Sequence, residues 1–430
     1  MINILFTKSK NFQKQLSGYL ESRKPNDHSK VKIVKKIILD IKKNKDKSLI
    51  KYEKKFSKLK KLNKNDLFFS KLEINKIIKK LDVKTKNSIN LAFKRIYNFH
   101  KNQKFKDFKF LDNYKNSLSY RSIPLQKVGV YVPGGIANYP SSVLMNCIPA
   151  LVAGVKKIYA TVPCVGKQIN PGVIYAANKC KVKEIYKLGG AQAIAAFAYG
   201  TQTINKVDKI VGPGNEYVAL AKKEVFGEVG IDMFAGPSEV TIIADKYSNP
   251  DWIAADLIAQ AEHDEMSQSI LLTDSKNIIV RVKIALENQI KTLPKKKIAL
   301  KSLKNFGIAV LAKNSGEISN ITNKIAPEHL EILTKNPKKY LKNINNAGSI
   351  FLGQYSPEAM GDYLAGPNHV LPTSGTAKFS SGLSVYDFLK RQSIIKISKS
   401  GIERLGSSVI NLAEYENLQG HANSIKIRIK

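Results

Sequence analysis

The run KVGVYVPGGIANYPSSVLMNCIPALVAGVKKIYATV, residues 127–162, decides the fold class. It sets two short β-type stretches, VGVYV and KKIYATV, on either side of the helical stretch SSVLMNCIPALVAG. The β-type stretches are mostly apolar rather than strictly alternating, as strands buried on both faces are. The pattern continues outward through VKEIYKL (182–188), AQAIAAFAYG (191–200) and DKIVG (208–212). Such βαβα alternation implies a parallel sheet covered by helices. It gives a compact α/β domain from about residue 125 to 231.

A second α/β stretch starts at EVTIIAD (239–245) and runs through SILLTD, GIAVLA and GSIFLG. Residues before about 120 read instead as amphipathic helices with lysine-rich outer faces. One apolar stripe is Ile33, Ile37, Ile38 and Ile41; another is Ile74, Ile77, Ile78 and Leu81. These helices have no strands of their own, so they are expected to share the second stretch's sheet. The expected division is a helical segment 1–24, a first α/β domain of 25–124 and 239–383, a second α/β domain of 125–238, and a C-terminal segment 384–430. That last segment reads as short helices ending in a strand-like IKIRIK.

With 430 residues, 43% of them hydrophobic, the chain can build several real cores and is not disordered. No apolar run approaches the roughly 18 uninterrupted residues of a membrane helix; the nearest candidate, 139–155, is broken by Pro140, Asn146 and Pro149. The N-terminus turns polar too early for a secretory signal. Cys147, Cys164 and Cys180 lack metal-type spacing and read as buried, reduced thiols of a cytoplasmic protein. The net charge of +37 raises nucleic acid as a partner. Only seven of the basic residues are Arg, however, and the lysines come with abundant Ile and Asn. That is the mark of an AT-biased coding sequence and a solvated face rather than a phosphate-reading surface.

Chemistry is concentrated around the histidines, of which there are six. Three stand beside or near glutamates: Glu262-His263, Glu328-His329, and Glu416 with His421. Imidazole titrates near neutrality and is the commonest metal ligand, and a neighbouring carboxylate can act as base, ligand or orienting group. Asn249-Pro250 offers an N-cap and first helical residue, and Gln260 and His263 lie three apart on the helix that follows. With Asp362 and His421 they make an N/O set suited to zinc or another divalent ion; on spacing alone Gln260 and His263 read rather as ordinary helix-face residues. Glu328-His329 follows Ala326-Pro327, which constrains the pair at an element start. His369 reads as structural, His28 and His100 as surface residues. Glycine turns at Gly189-Gly190 and Gly212-Gly214 stand where a strand enters a helix, yet no G-x-G-x-x-G occurs. They fit a phosphate cradle or a simple tight turn. The aromatic of the VYVPGG turn, Tyr131, could stack on a base.

Together the runs VGVYVPGG, GGAQAIAAFAYGT, VGPGN, AQAEHD, APEHLEI, GDYLAGPNHVLPT and ENLQGH, in this order, resemble the histidinol dehydrogenase family. The resemblance extends from about residue 120 to 421. It implies two incomplete Rossmann-like parallel-sheet domains, with small helical N- and C-terminal segments. It also implies NAD-dependent oxidation of L-histidinol to L-histidine through an aldehyde, with one zinc per site. Carried over motif by motif, it gives Gln260, His263, Asp362 and His421 as zinc ligands and Tyr131, Gln192 and Asn215 as lining the NAD site. Ser238 and Glu416 would join the metal ligands and His329 in holding substrate. Glu328 and His329 would be the acid/base pair. It further implies a homodimer with the C-terminal segment exchanged between active sites, and neither a specific nucleic acid nor a membrane as partner.

Two departures from the family pattern stand beside functional motifs. Phe234 replaces a proline in DMFAGPSEV, and Asp264, Glu265 and Met266 follow His263 where the family commonly has a proline. Both put local loop geometry in question.

Overall fold

The computed structural model describes residues 2–22, 28–58, 61–103, 107–134, 139–164, 169–233 and 236–429. Phe234 lies outside them, as does the side chain of His28. Its first strands are β1 (Asn3–Phe6), β2 (Lys109–Leu111) and β3 (Ser117–Pro124). Next come β4 (Lys127–Tyr131), β5 (Lys157–Thr161), β6 (Glu184–Tyr186), β7 (Lys209–Val211) and β8 (Gly230–Ile231). They form a five-stranded parallel sheet of order β6-β5-β4-β7-β8. The order reverses between β4 and β7, which makes the space beyond their carboxyl ends the switch-point crevice of a doubly wound sheet.

A second sheet is built from β9 (Glu239–Ala244), β10 (Gln268–Thr273), β11 (Gly307–Leu311), β12 (His329–Ile332) and β13 (Ser349–Leu352). With β1 it is six-stranded and parallel, in the order β1-β11-β10-β9-β12-β13. Each large sheet carries an apolar cluster on either face, so its central strands are buried on both sides.

The N-terminal helices correct the sequence expectation. The helix His28–Phe56 packs on helices Gly190–Tyr199 and Glu216–Val225 of the five-stranded sheet. On its other face, Ile89, Ala92 and Ile96 of the helix Val83–Lys101 join Val128, Leu144 and Ile148. The stripes told which face was apolar but not which sheet would cover it. Val34 rather than Ile33 completes the first stripe, and Ile33 is exposed. Residues 3–6, expected as part of a helical segment, instead extend the six-stranded sheet as its edge. The helix His28–Phe56 is kinked at Lys45 (φ 49°), whose ammonium donates to Tyr199 O and Gly200 O at 3.1 Å each, capping the neighbouring helix's negative end.

The remaining strand, β14 (Leu389–Lys396), pairs antiparallel with β3 along its 8 residues, and β2 lies on β3's other edge. The chain then ends in helices Lys399–Tyr415 and Gln419–Lys426, which pack on each other. Residues 425–429 of IKIRIK are therefore not a strand; they fall on the last helical turn and the residues just after it. Leu412, Tyr415, Leu418 and Ile427 of this arm stand exposed, as does Ile395 of β14. No helix of the described residues is long and apolar enough to cross a membrane.

Candidate active site

Glu328 and His329 arrive at the six-stranded sheet through a sharp turn. Ala326 adopts a left-handed φ of 48°, ending the helix Ser315–Ile325, and Pro327 starts the chain toward β12. His329 is the first residue of β12 and lies beside Val240 of β9, so the pair sits at the amino edge of the central strands. Glu328 Oε2 accepts from Glu239 N at 2.8 Å, and His329 Nδ1 lies 3.1 Å from Glu239 O. A carbonyl can only accept, so Nδ1 carries the hydrogen and Nε2 keeps its lone pair. That Nε2 is buried with no partner from the described residues. An orphaned imidazole nitrogen of this kind is poised to receive a proton from a bound molecule. Burial pushes the His329 imidazole down to about 4 and the Glu328 carboxyl well above its ordinary range.

Around this pair the chain assembles further carboxylates. Glu358 and Asp362 lie one turn apart on the helix Glu358–Tyr363. Ligand atoms of His329, Glu358 and Asp362 all lie within 4.8 Å of one another. Gln260 is fully buried on the helix Pro250–Ala261; its surroundings assign the carboxamide the orientation in which Nε2 donates to both Glu358 oxygens, at 2.6 and 3.1 Å. Its amide oxygen is thereby the atom left for a cation. His369 Nδ1 stands 3.1 Å from Asp362 O and 3.5 Å from Asp362 Oδ1. Burial alone would raise Asp362; His369, with His329 and His263, outweighs it and holds the carboxyl below its ordinary range. His369 therefore supports a candidate ligand, a more specific role than the structural one expected. Beside the cluster lies a cavity of about 450 Å³, lined by His329, Phe351, Met360, Asn368 and His369.

Of the four metal ligands expected, the chain itself brings Gln260 and Asp362 together. His263 is exposed just beyond its helix, close enough for its charge to act on both His329 and Asp362. The loop after it is closed by Asp264, whose carboxylate accepts from Met266 N at 2.9 Å, and Glu265 pairs with Lys301. His421 and Glu416 are exposed on the C-terminal arm, and the cluster's hydrogen bonds and ion pairs among the described residues do not involve them. Ser238 is half-buried just before β9, its carbonyl accepting from Gln268 N at 2.9 Å. Glu358 was not foreseen; its spacing of four from Asp362 behind Pro357 was the available signal. His100, expected at the surface, is fully buried and bonded to Gln103 at 2.8 Å.

The residues expected at the dinucleotide converge on the switch point of the five-stranded sheet. Gly212 has φ 112°, and a Cβ there would meet Tyr131 O at 2.2 Å, so only glycine makes this turn. Asp232 accepts from Gly212 N at 2.7 Å, while Lys222, paired with Asp232 in a buried ion pair, donates to Gly212 O at 3.0 Å. Asn215 is exposed and caps the next helix by accepting from Val218 N. Tyr131 is buried, its hydroxyl accepting from Gly190 N at 3.0 Å, so its ring is not an open stacking surface. Gln192 is likewise buried.

The histidinol dehydrogenase family model matches residues 20–429. The chain belongs to the histidinol dehydrogenase family. It is similar to the histidinol dehydrogenase of Pelagibacter ubique, 55% identical over 100% of both chains, and to that of Clostridium acetobutylicum, 47% identical over 100% of this chain and 99% of the other. The crystal structure of histidinol dehydrogenase from Elizabethkingia anophelis superposes with a TM-score of 0.93 at 38% identity, covering 100% of this chain and 98% of that one. The α/β architecture of parallel sheets expected from the sequence is therefore that of a histidinol dehydrogenase.

Behind the site of this family member, Glu331 and Asp256 meet in the interior. Glu331 Oε1 accepts from Glu358 N at 2.6 Å, and its other oxygen finds no donor among the described residues unless the adjacent carboxyl pair holds a proton. Burial pushes Asp256 up to about 6 and Glu331 well above its ordinary range, Asp256 adding to the latter. Groups raised on folding stabilise fully below their unfolded values and lose that contribution as pH rises through the folded ones. This pair should thus contribute more to the melting temperature at pH 5 than at pH 7. Asp256→Asn should flatten this difference in a thermal scan. An equal slope in both proteins would show that the pair does not share a proton.

Proposed function

We propose that this chain carries out the NAD-dependent, four-electron oxidation of L-histidinol to L-histidine through histidinaldehyde, the last step of histidine biosynthesis. The observation that carries the reading is His329: a buried imidazole with Nδ1 fixed as donor, Nε2 unpartnered, and Glu328 beside it. His329 takes the hydroxyl proton of the alcohol in the first oxidation. Glu328, once ionised, takes a proton from water as that water adds to the aldehyde, and His329 accepts the hydrate's proton in the second oxidation. Both groups sit on a rigid sheet edge in a largely water-free setting, which keeps the reactive aldehyde in place.

Gln260 and Asp362 suit a zinc ion of mixed N/O preference, because Glu358 leaves the Gln260 oxygen free and His369 keeps Asp362 ionised. We assign His263 and His421 as the remaining ligands; the ion, when bound, would supply Lewis acidity for holding the substrate. Tyr131, Gln192 and Asn215 shape the floor and rim of the crevice for NAD, which accepts the electrons. Ser238 and Glu416 complete the substrate contacts. Because His421 and Glu416 stand exposed on an arm rich in uncovered apolar side chains, we assign them to the partner's site in a cytoplasmic homodimer with exchanged C-terminal segments.

The test is NADH formed per L-histidinol consumed, with and without a chelator and added zinc. Two NADH per substrate, abolished by chelation and restored by zinc, is the expected result. One NADH per substrate, or turnover indifferent to zinc, would overturn the mechanism.

A further inference from the structure

The helix His28–Phe56 sends one carboxyl group into the floor of the switch-point crevice. Glu53 is 1% exposed, although it belongs to an otherwise lysine-rich outer helix. Its Oε2 accepts from Gln192 Nε2 at 3.0 Å and from Gly189 N at 3.4 Å. Its Oε1 accepts from the Ser57 hydroxyl one turn on. Gly189 and Gly190 begin the helix Gly190–Tyr199, whose amino end abuts Tyr131 at the end of β4. That is where a doubly wound sheet ordinarily meets its dinucleotide.

The consequence falls on Gln192. A carboxamide offers a donor side and an acceptor side, and a site that must recognise one ligand needs to fix which side faces it. Glu53 takes the nitrogen. The Gln192 oxygen is left over Gly190, where an added Cβ would come within 2.8 Å of it, and no described residue donates to it. Glu358 treats Gln260 in the same way at the other site, so each site has a buried glutamine held by its nitrogen.

We propose that Glu53 is a positioning residue of the dinucleotide crevice. It acts through Gln192, fixing the carboxamide so that its oxygen is the atom presented to the cofactor. This rests on the reading of the crevice as the NAD site. Nothing in the helix's sequence announces the role, because Glu53 sits among Tyr52, Lys54 and Lys55 like any solvated charge.

The test is the equilibrium dissociation constant for NAD, measured by calorimetry without histidinol, together with steady-state kinetics on the full-length, zinc-loaded protein. NAD and histidinol are varied separately for E53A, E53Q, Q192A and the double variant E53A/Q192A, and the dissociation constant should move with the KM for NAD. E53A should raise the KM for NAD about tenfold, leaving kcat and the KM for histidinol within about twofold, as a coupling of this class permits. E53Q keeps an acceptor for Gln192 and Gly189 and should restore the wild-type KM. The double variant should be no worse than Q192A, because both lesions remove one contact. Should E53A not fold, E53M fills the space without an acceptor and carries the same expectation. Effects of E53A and Q192A that multiply, or losses spread equally over kcat and both KM values, would overturn the proposal. So would E53Q behaving like E53A. A wild-type protein that turns over histidinol without reducing NAD would instead overturn the cofactor reading beneath it.

Discussion

His329→Ala and His421→Ala, each nearly inactive alone, are expected to recover activity when unfolded together and refolded as a mixture. On the proposed mechanism, His329→Ala removes the base at the sheet edge, and His421→Ala removes a metal ligand carried on the C-terminal arm. If the arm serves the partner, a heterodimer holds one site with both lesions and one with neither. Random reassembly makes half the dimers mixed, so activity should return to about a quarter of wild type. The arm's exposed Leu412, Tyr415 and Ile427 are the apolar surface such an exchange would cover. Heterodimers shown to form, for instance by differential tagging, yet without activity would end the exchanged-arm reading.

Glu328→Gln should separate the two oxidations. Glutamine keeps an acceptor for Glu239 N, so the turn into β12 is preserved. It cannot take a proton from water, and the loss of a positioned base costs about 10²- to 10⁴-fold in the step it serves. The variant should still oxidise the alcohol, with NADH per histidinol falling from two toward one and an aldehyde captured by a hydrazine reagent. The second half-reaction should also respond to pH in a defined direction. Burial raises the Glu328 carboxyl, so its ionised form grows as pH rises. Wild-type aldehyde oxidation should climb with pH, while the variant's should not follow that carboxyl's titration. Equal slowing of both half-reactions would remove Glu328 from the role of water activator.

How much of this was legible in the sequence differs by region. The strands around VGVYV, KIYAT and EVTIIA were plain because a strand buried on both faces leaves an apolar run that helices do not match in length. Asn249-Pro250 was equally plain as a helix start, and Asn249 does cap the helix, accepting from Asp251 N at 2.9 Å. The placement of the N-terminal helices was not legible, since Ile37 and Ile41 need an apolar partner but do not name it. Nor was the pairing of β3 with β14, whose residues come from distant parts of the chain and whose β14 partner is mostly exposed. At the site, Gln260 and His263 looked like one helix face, yet one is buried against Glu358 and the other exposed. Their joint role was suggested only by ordered motifs. Glu53 is not legible because a buried carboxylate and a solvated one are spelled alike, and Glu358 shows only through its spacing from Asp362.

The anchoring of Glu328 and His329 at the head of a central strand has a bearing on how the molecule fails. Backbone amides in the middle of a doubly covered parallel sheet exchange with solvent only through the largest openings, whereas a terminal arm held along one sheet edge opens cheaply. Deuterium should therefore reach the amides of residues 399–426 long before those of β9 and β12. In rising denaturant, catalysis should vanish while the far-ultraviolet dichroism of the sheets is still intact. A functional enzyme would be lost first by shedding its tail, leaving a folded body that regains activity on dilution without having to fold again.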